Sequence, residues 1–333
     1  DIASLTKIVA TLPNVMQEFD QGHLTLETKL KTMLPEAKNS NKANATVLDM
    51  LTHQARFQPW IPFYKATLDS LNRPSTHFYR SEFSDEFPVH VADKLYLRKN
   101  YNDTIVKTIL DSELLPKKQY KYSDFTFILF KEYLELHNKK SLEDLAHANF
   151  FEPLGANSIM YNPLRKMNAN RIIPTENDNY FRHQIVQGYV HDMAAAMQGG
   201  ISGHAGLFAN ALDVAKVMQM YLQKGSYGGR TYISENTFNT FNTCYFCKDG
   251  NRRGVGFDKP QLGNEGPTCG CVSLTSFGHT GFTGTMTWAD PEKEIVYVFL
   301  SNRTFPDSNA TNKLSKENIR ENIQKVIYEA IIE

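Results

Sequence analysis

The chain has 333 residues, and its Lys plus Arg (36) equal its Asp plus Glu (36), so the formal net charge is zero. That balance excludes the positive excess that a nucleic-acid binder or a polybasic membrane protein needs. A hydrophobic content of 41% and a charged content of 22% exclude a disordered chain, and no run nears the ~18 apolar residues of a membrane span.

From Ser4 to Gln21 the apolar residues Ile8, Val9, Leu12, Val15, Met16 and Phe19 recur at helical spacing, with Gly22 as the stop. Pro13 inside that stripe predicts a kink. Thr46–His53 reads as a short helix with Leu48 and Leu51 inward. The stretch from Gln54 to Tyr101 is aromatic and interrupted by prolines. It is read as a long irregular segment that either covers core or lines a cleft, with Trp60 as the residue of interest. Helices follow over Phe125–Leu136, after Ser141 and over Ala211–Leu222. Gly284–Asp290 and Glu294–Asn302 read as two strands around a turn at Pro291 and Glu292, and Ser315–Ile331 as a terminal amphipathic helix. Sheet signals cluster late and no repeat appears, which predicts an α+β fold. Residues 1–30 and 250–333 are assigned to a sheet-containing lobe, and 31–249 to a helical, loop-rich lobe.

Three places carry candidate chemistry. Ser4 and Lys7 are three apart and share a helix face, so a neutral Lys7 amine could activate the Ser4 hydroxyl, and the Ser4 N–H could serve an oxyanion hole. Tyr122-Ser123-Asp124 precedes an apolar helix, and a phenol near a lysine can move protons. Tyr101-Asn102-Asp103 repeats the pattern in a less suitable context. His279-Thr280-Gly281 edges a strand, where His and Thr can hydrogen-bond a carboxylate or carbonyl and the glycine allows close approach.

His191, Asp192 and His204 are read as structural, and Arg252 and Arg253 as a solvated loop. Gly254-Val255-Gly256 lacks the rest of a dinucleotide fingerprint. No cofactor or catalytic metal is expected. Cys244 and Cys247 (C-x-x-C) with Cys269 and Cys271 (C-x-C) admit three readings: disulfides tying the first pair to the second, a zinc site, or free buried thiols. Disulfides across the pairs are the leading reading.

SLTK at Ser4–Lys7, YSD at Tyr122–Asp124 and HTG at His279–Gly281 occur in one order, with supporting phrases at Leu48–Gln54 and Gly199–Leu222. With these motifs the chain resembles the serine β-lactamase and penicillin-binding-protein superfamily, in its class-C-like branch of esterases and D-amino-acid peptidases. The resemblance implies an antiparallel sheet flanked by helices plus a mostly helical lobe. It implies Ser4 as acylated nucleophile, Lys7 as its proton partner and Tyr122 as base and acid. Asp124, His279, Thr280, Gly281 and Phe282 would meet substrate, with the N–H groups of Ser4 and Phe282 as oxyanion hole.

Asp124 stands where the family often has Asn, and His279 where it usually has Lys. A His holds a carboxylate less strongly than Lys, which implies weak or no true β-lactamase activity. The family's sheet also contains strands that precede the nucleophile helix, and these are expected to be missing here. The expected substrate is a small ester, an amide or a cell-wall-derived peptide. The alternatives are a non-catalytic relative that binds peptidoglycan fragments or supports an attached glycosidase, and a zinc-stabilised interaction module. The resemblance further implies an exported bacterial protein, periplasmic or associated with the outer membrane, with a family-3 glycoside hydrolase domain possibly upstream.

Overall fold

The structure is a computed structural model that describes residues 1–261, 266–308 and 312–331. The helical run at the front has three pitches: a 3-10 turn at Ala3–Leu5, a π-helix at Lys7–Thr11 and an α-helix at Leu12–Asp20. Pro13 falls in the first turn of the α segment, where a missing N–H is tolerated. The change from π to α at Leu12 thus takes the place of the expected kink. Gly22 follows with φ +75°, a left-handed conformation that suits glycine.

The helix Phe125–Asn138 is buried continuously from Phe125 to Lys131. A helix apolar on all sides belongs in the interior, so its N-terminal end, with Tyr122 and Asp124 just before it, is fixed by packing. Ala211–Leu222 forms as expected, capped by the Asn210 side chain, and buries Val214, Val217, Met218 and Tyr221. The Tyr221 hydroxyl donates to the Ile8 carbonyl at 2.8 Å, which ties this helix to the front of the chain.

The main sheet is antiparallel and has three strands among the described residues: Phe277–Thr280, Met286–Asp290 and Ile295–Phe299, in that order. Met286–Asp290 is the central strand and is buried throughout. Ala211–Leu222 packs against the second and third strands. The fold is mixed, with helices around small antiparallel sheets, as the sequence predicts.

Several local expectations change. In the helix Val47–Leu51 the buried residues are Val47, Met50 and Leu51, while Leu48 is only half-buried. Part of the 54–101 stretch is a second antiparallel sheet, with Tyr79–Arg80 and Val89–Ala92 on either side of Leu95–Leu97. Strands this short show no usable alternation. Its aromatics divide, with Phe57, Phe63, Tyr64, Tyr79 and Phe87 buried but Trp60 and Phe83 exposed. The terminal helix breaks at Asn318, which is left-handed, into Lys313–Lys316 and Ile319–Glu329. The cysteines close within each pair, Cys244 to Cys247 and Cys269 to Cys271, not across them. With every thiol so used, the expected cross-pair disulfides and the four-thiolate zinc site are both set aside.

Candidate active site

Positions 2–16 are buried with one exception, Ser4. Ala3, just before it, has φ +48°, a conformation unfavourable for a residue with a Cβ. Surrounding hydrogen bonds hold that turn. The Ala3 N–H donates to Asp1 Oδ1 (2.7 Å) and the Ile2 N–H to the Leu207 carbonyl (3.0 Å). The Thr283 and Thr285 hydroxyls donate to the carbonyls of Asp1 and Ile2, both at 3.1 Å.

The late strand therefore runs against the early turn. Gly281 shows how closely: a Cβ there would lie 2.1 Å from Thr285 Oγ1, 2.9 Å from the Ile2 carbonyl oxygen and 3.3 Å from the Ala3 Cβ. Only a residue without a side chain fits.

Lys7 is fully buried, and its ammonium is fully used. Nζ donates to Ser4 Oγ at 2.9 Å and to the His204 carbonyl at 3.1 Å, and it forms an ion pair with Asp124 Oδ1 at 2.7 Å. Burial pulls the Lys7 pKa down, but the Asp124 carboxylate and the Tyr122 phenol outweigh it, and the pKa is raised. Lys7 is thus a charged donor to Ser4, not the neutral amine considered from the sequence. The Tyr122 hydroxyl is buried, and burial raises its pKa against the downward pull of Lys7 and Ser4. Its ring lies 5.1 Å from Lys7 Nζ.

His279 is 2% exposed, and its ring centre is 5.9 Å from that of Tyr122. Burial first, then the charges of Arg253 and Lys7, hold its pKa well below the ordinary value, so the ring is neutral. Nδ1 lies 2.7 Å from the Thr280 carbonyl, which can only accept, so Nδ1 carries the proton. Nε2 is left as a buried acceptor without a partner. In this state His279 has no free donor for a substrate carboxylate, and the half-buried Thr280 is the better placed of the two. Phe282 lies beyond the strand end, in a turn. Its exposed ring meets His191 (5.2 Å between centres) and the Arg303 guanidinium (4.6 Å).

The sequence-predicted residues thus meet in one place, with the Phe282 side chain at the rim. Tyr101-Asn102-Asp103 instead opens the helix Tyr101–Asp111, which removes it as a rival turn.

Two further residues belong to this cluster. His53 is buried behind Tyr122, with ring centres 4.6 Å apart, and its Nδ1 accepts from the Ser123 N–H at 3.3 Å. Arg253 is 4% exposed, not solvated, and its Cζ lies 5.3 Å from the Tyr122 ring and 5.7 Å from that of Tyr120. His53 sits inside the phrase Leu48–Gln54, but nothing local marks it as a neighbour of Tyr122. Arg253 follows another Arg in a glycine-rich loop, a pattern that reads as solvent-facing.

His191 and His204 are paired as expected, His191 Nε2 with Glu176 (2.7 Å) and His204 Nε2 with Asp192 (2.8 Å). A cleft beside Asp124 is lined by Trp60, Pro62, Tyr64, Asp192 and His204, so Trp60 shares a cleft with Asp124, the one residue of the predicted set that lines it.

A family model described as Beta-lactamase matches residues 1–318. A protein of Escherichia coli K12 named as a D-alanyl-D-alanine carboxypeptidase is 28% identical over 324 residues, covering 91% of this chain and 68% of the relative. A Bacillus subtilis protein named N-acetylmuramyl-L-alanine amidase is 28% identical over 326 residues, covering 91% and 67%. Among solved structures, the hydrolase EstCE1, described as having promiscuous acyltransferase activity, superposes with a TM-score of 0.62. It shares 16% identity and is covered over 97% of this chain and 84% of its own.

Proposed function

Because the chain belongs to the beta-lactamase family and is a serine hydrolase for peptide or ester substrates, we propose that Ser4 is its nucleophile and that it acts through an acyl-enzyme. Ser4 Oγ attacks the substrate carbonyl. Its proton passes to the Tyr122 oxygen and from there to the leaving oxygen or nitrogen. The reverse relay activates water and frees the acid.

Lys7 and Tyr122 work as a coupled pair whose basic form is ammonium plus phenolate, because Asp124 and Tyr122 itself both favour the charged lysine. The N–H groups of Ser4 and Phe282 are assigned to the oxyanion. The observation that carries this reading is the chain Ser4 Oγ–Lys7 Nζ–Asp124 Oδ1, at 2.9 and 2.7 Å, beside the Tyr122 ring.

The preferred substrate is a small ester, an amide or a cell-wall-derived peptide. The relatives named as a carboxypeptidase and an amidase support a peptide or amide. Weak or absent β-lactamase activity follows from a neutral His279 where a cation usually waits for the drug's carboxylate. Closed disulfides suit an oxidising compartment, which supports an exported, periplasmic protein. An upstream glycoside hydrolase domain is part of this reading, and the longer reading frame tests it.

Intact-mass analysis with a fluorophosphonate probe is the test of mechanism. One adduct mapped to Ser4, and absent in Ser4→Ala, is the expected result. No adduct on a folded chain that still binds peptidoglycan fragments would favour a non-catalytic relative instead.

A further inference from the structure

Away from the active site, three side chains from two elements bring one ligand atom each to a single point. Glu18 is on the helix Leu12–Asp20, His23 follows the turn after it, and His137 is on the last turn of Phe125–Asn138. Glu18 Oε2 is 2.9 Å from His23 Nδ1 and 3.3 Å from His137 Nε2, and the two ring nitrogens are 3.2 Å apart. These are the sides of a nearly regular triangle. The edge of a tetrahedron around an ion with ~2.0–2.1 Å bonds to nitrogen and oxygen is about 3.3 Å.

The triangle is also an awkward one for hydrogen bonds alone. If each ring donates to Oε2, two N–H groups face each other, and if only the His23 ring donates, the His137 lone pair faces the carboxylate oxygen at 3.3 Å, whereas one cation meets all three lone pairs at once.

The surroundings resemble a supported site. Glu18 is 4% exposed, and its other oxygen accepts from Asn138 Nδ2 at 2.9 Å, which fixes the carboxylate's orientation. The His137 ring stacks on Tyr133, with centres 5.5 Å apart, and the Tyr133 hydroxyl makes a long hydrogen bond to Glu18 Oε2 at 3.5 Å, which leaves that oxygen a further lone pair. Both helices end here, and helix C-termini favour positive charge. The two histidine side chains are 43% and 39% exposed, so a fourth position faces solvent.

We propose that Glu18, His23 and His137 form a binding site for a zinc-class divalent cation, with two imidazoles, one carboxylate and water as ligands. Imidazole with carboxylate selects this class over calcium or magnesium. The site would be a clamp. It ties the far ends of the two helical segments whose near ends carry Ser4 with Lys7 and Tyr122 with Asp124. The other His-carboxylate cluster, Asp124, Asp192 and His204, has its imidazole nitrogens already engaged by Asp192 and Ser202.

The test uses the chelator-treated chain, free of any affinity tag, titrated with Zn²⁺ by calorimetry and with Co²⁺ by visible absorption. One equivalent should bind, Co²⁺ should show a four-coordinate spectrum, and Zn²⁺ should raise the thermal midpoint. His23→Gln and His137→Gln, both exposed and expected to fold, should each weaken binding at least ~100-fold and abolish the midpoint shift. Asn138→Ala should weaken it ~10–100-fold by releasing the carboxylate. No binding by the parent chain, or binding retained in the double histidine variant, overturns the proposal.

Discussion

The two flanks of the candidate active site differ in how completely their polar atoms are satisfied. On the Lys7 side the Lys7 ammonium, the His204 ring and Asp192 are all engaged. Nζ has three partners, His204 engages Ser202 and Asp192 at 2.8 Å each, and Asp192 also accepts from the Ala195 N–H. On the Tyr122 side the buried Arg253 has only a long ion pair from Nε to Asp258 at 3.7 Å beside its contact with Tyr120, and His53 Nε2 and His279 Nε2 are buried without hydrogen-bond partners. Each such atom costs about 1–3 kcal/mol. The first flank holds one proton arrangement rigidly, while the second keeps unmet capacity that a substrate or an entering water can satisfy.

The largest effect that would break this contrast is loss of the phenol. Tyr122→Phe should lower kcat/KM by ~10²–10⁴-fold with little change in fold, as judged by steady-state kinetics and circular dichroism. An unchanged rate would move Tyr122 out of the proton path.

The next is a pH effect on stability. Burial holds both His53 and His279 neutral in the folded chain, well below their ordinary pKa, while the unfolded chain protonates them near ~6.5. Below that pH the unfolded state binds more protons. Stability should therefore be full above about pH 6.5 and fall on acidification by ~1.4 kcal/mol per pH unit for each histidine. Urea midpoints between pH 7 and 5 report this slope, which His279→Asn should reduce by half.

Arg253→Met tests the same flank more gently. Removing a desolvated cation from beside the Tyr122 ring should cost up to ~10-fold in kcat/KM. It also removes a charge that depresses both histidines, so their pKa values rise and the acid limb of the rate profile moves to higher pH. A limb that stays in place would separate Arg253 from the chemistry.

The smallest effect belongs to the satisfied flank. Asp124 is the main upward influence on Lys7, so in Asp124→Asn burial should prevail and the Lys7 pKa should fall. The alkaline limb of kcat/KM then shifts to lower pH, with only a few-fold change near neutrality.

Ser4, Lys7, Tyr122 and Asp124 were legible in the sequence because each pair is local and each sits at the start of a helix whose apolar pattern is plain. The late strands were legible because EIVYVF reads as strand in any context. His53 and Arg253 were not, because they reach Tyr122 from 69 and 131 positions away through packing that no local period records. His23 and His137 escaped for the same reason. The sheet at Tyr79–Leu97 hid in strands too short to show alternation, and the cysteine spacing allowed both pairings until the backbone brought each pair together.

A sealed wall with one opening constrains what an ester or peptide can leave behind. Ser4 is the one position between residues 2 and 16 that is not buried, so on the proposed mechanism an acyl group carried there meets the residues around that opening, with Trp60 in the cleft beside Asp124 and the Phe282 ring exposed. On that reading, substitutions at such exposed side chains leave the packed interior untouched, and new substrate preferences are within easy evolutionary reach.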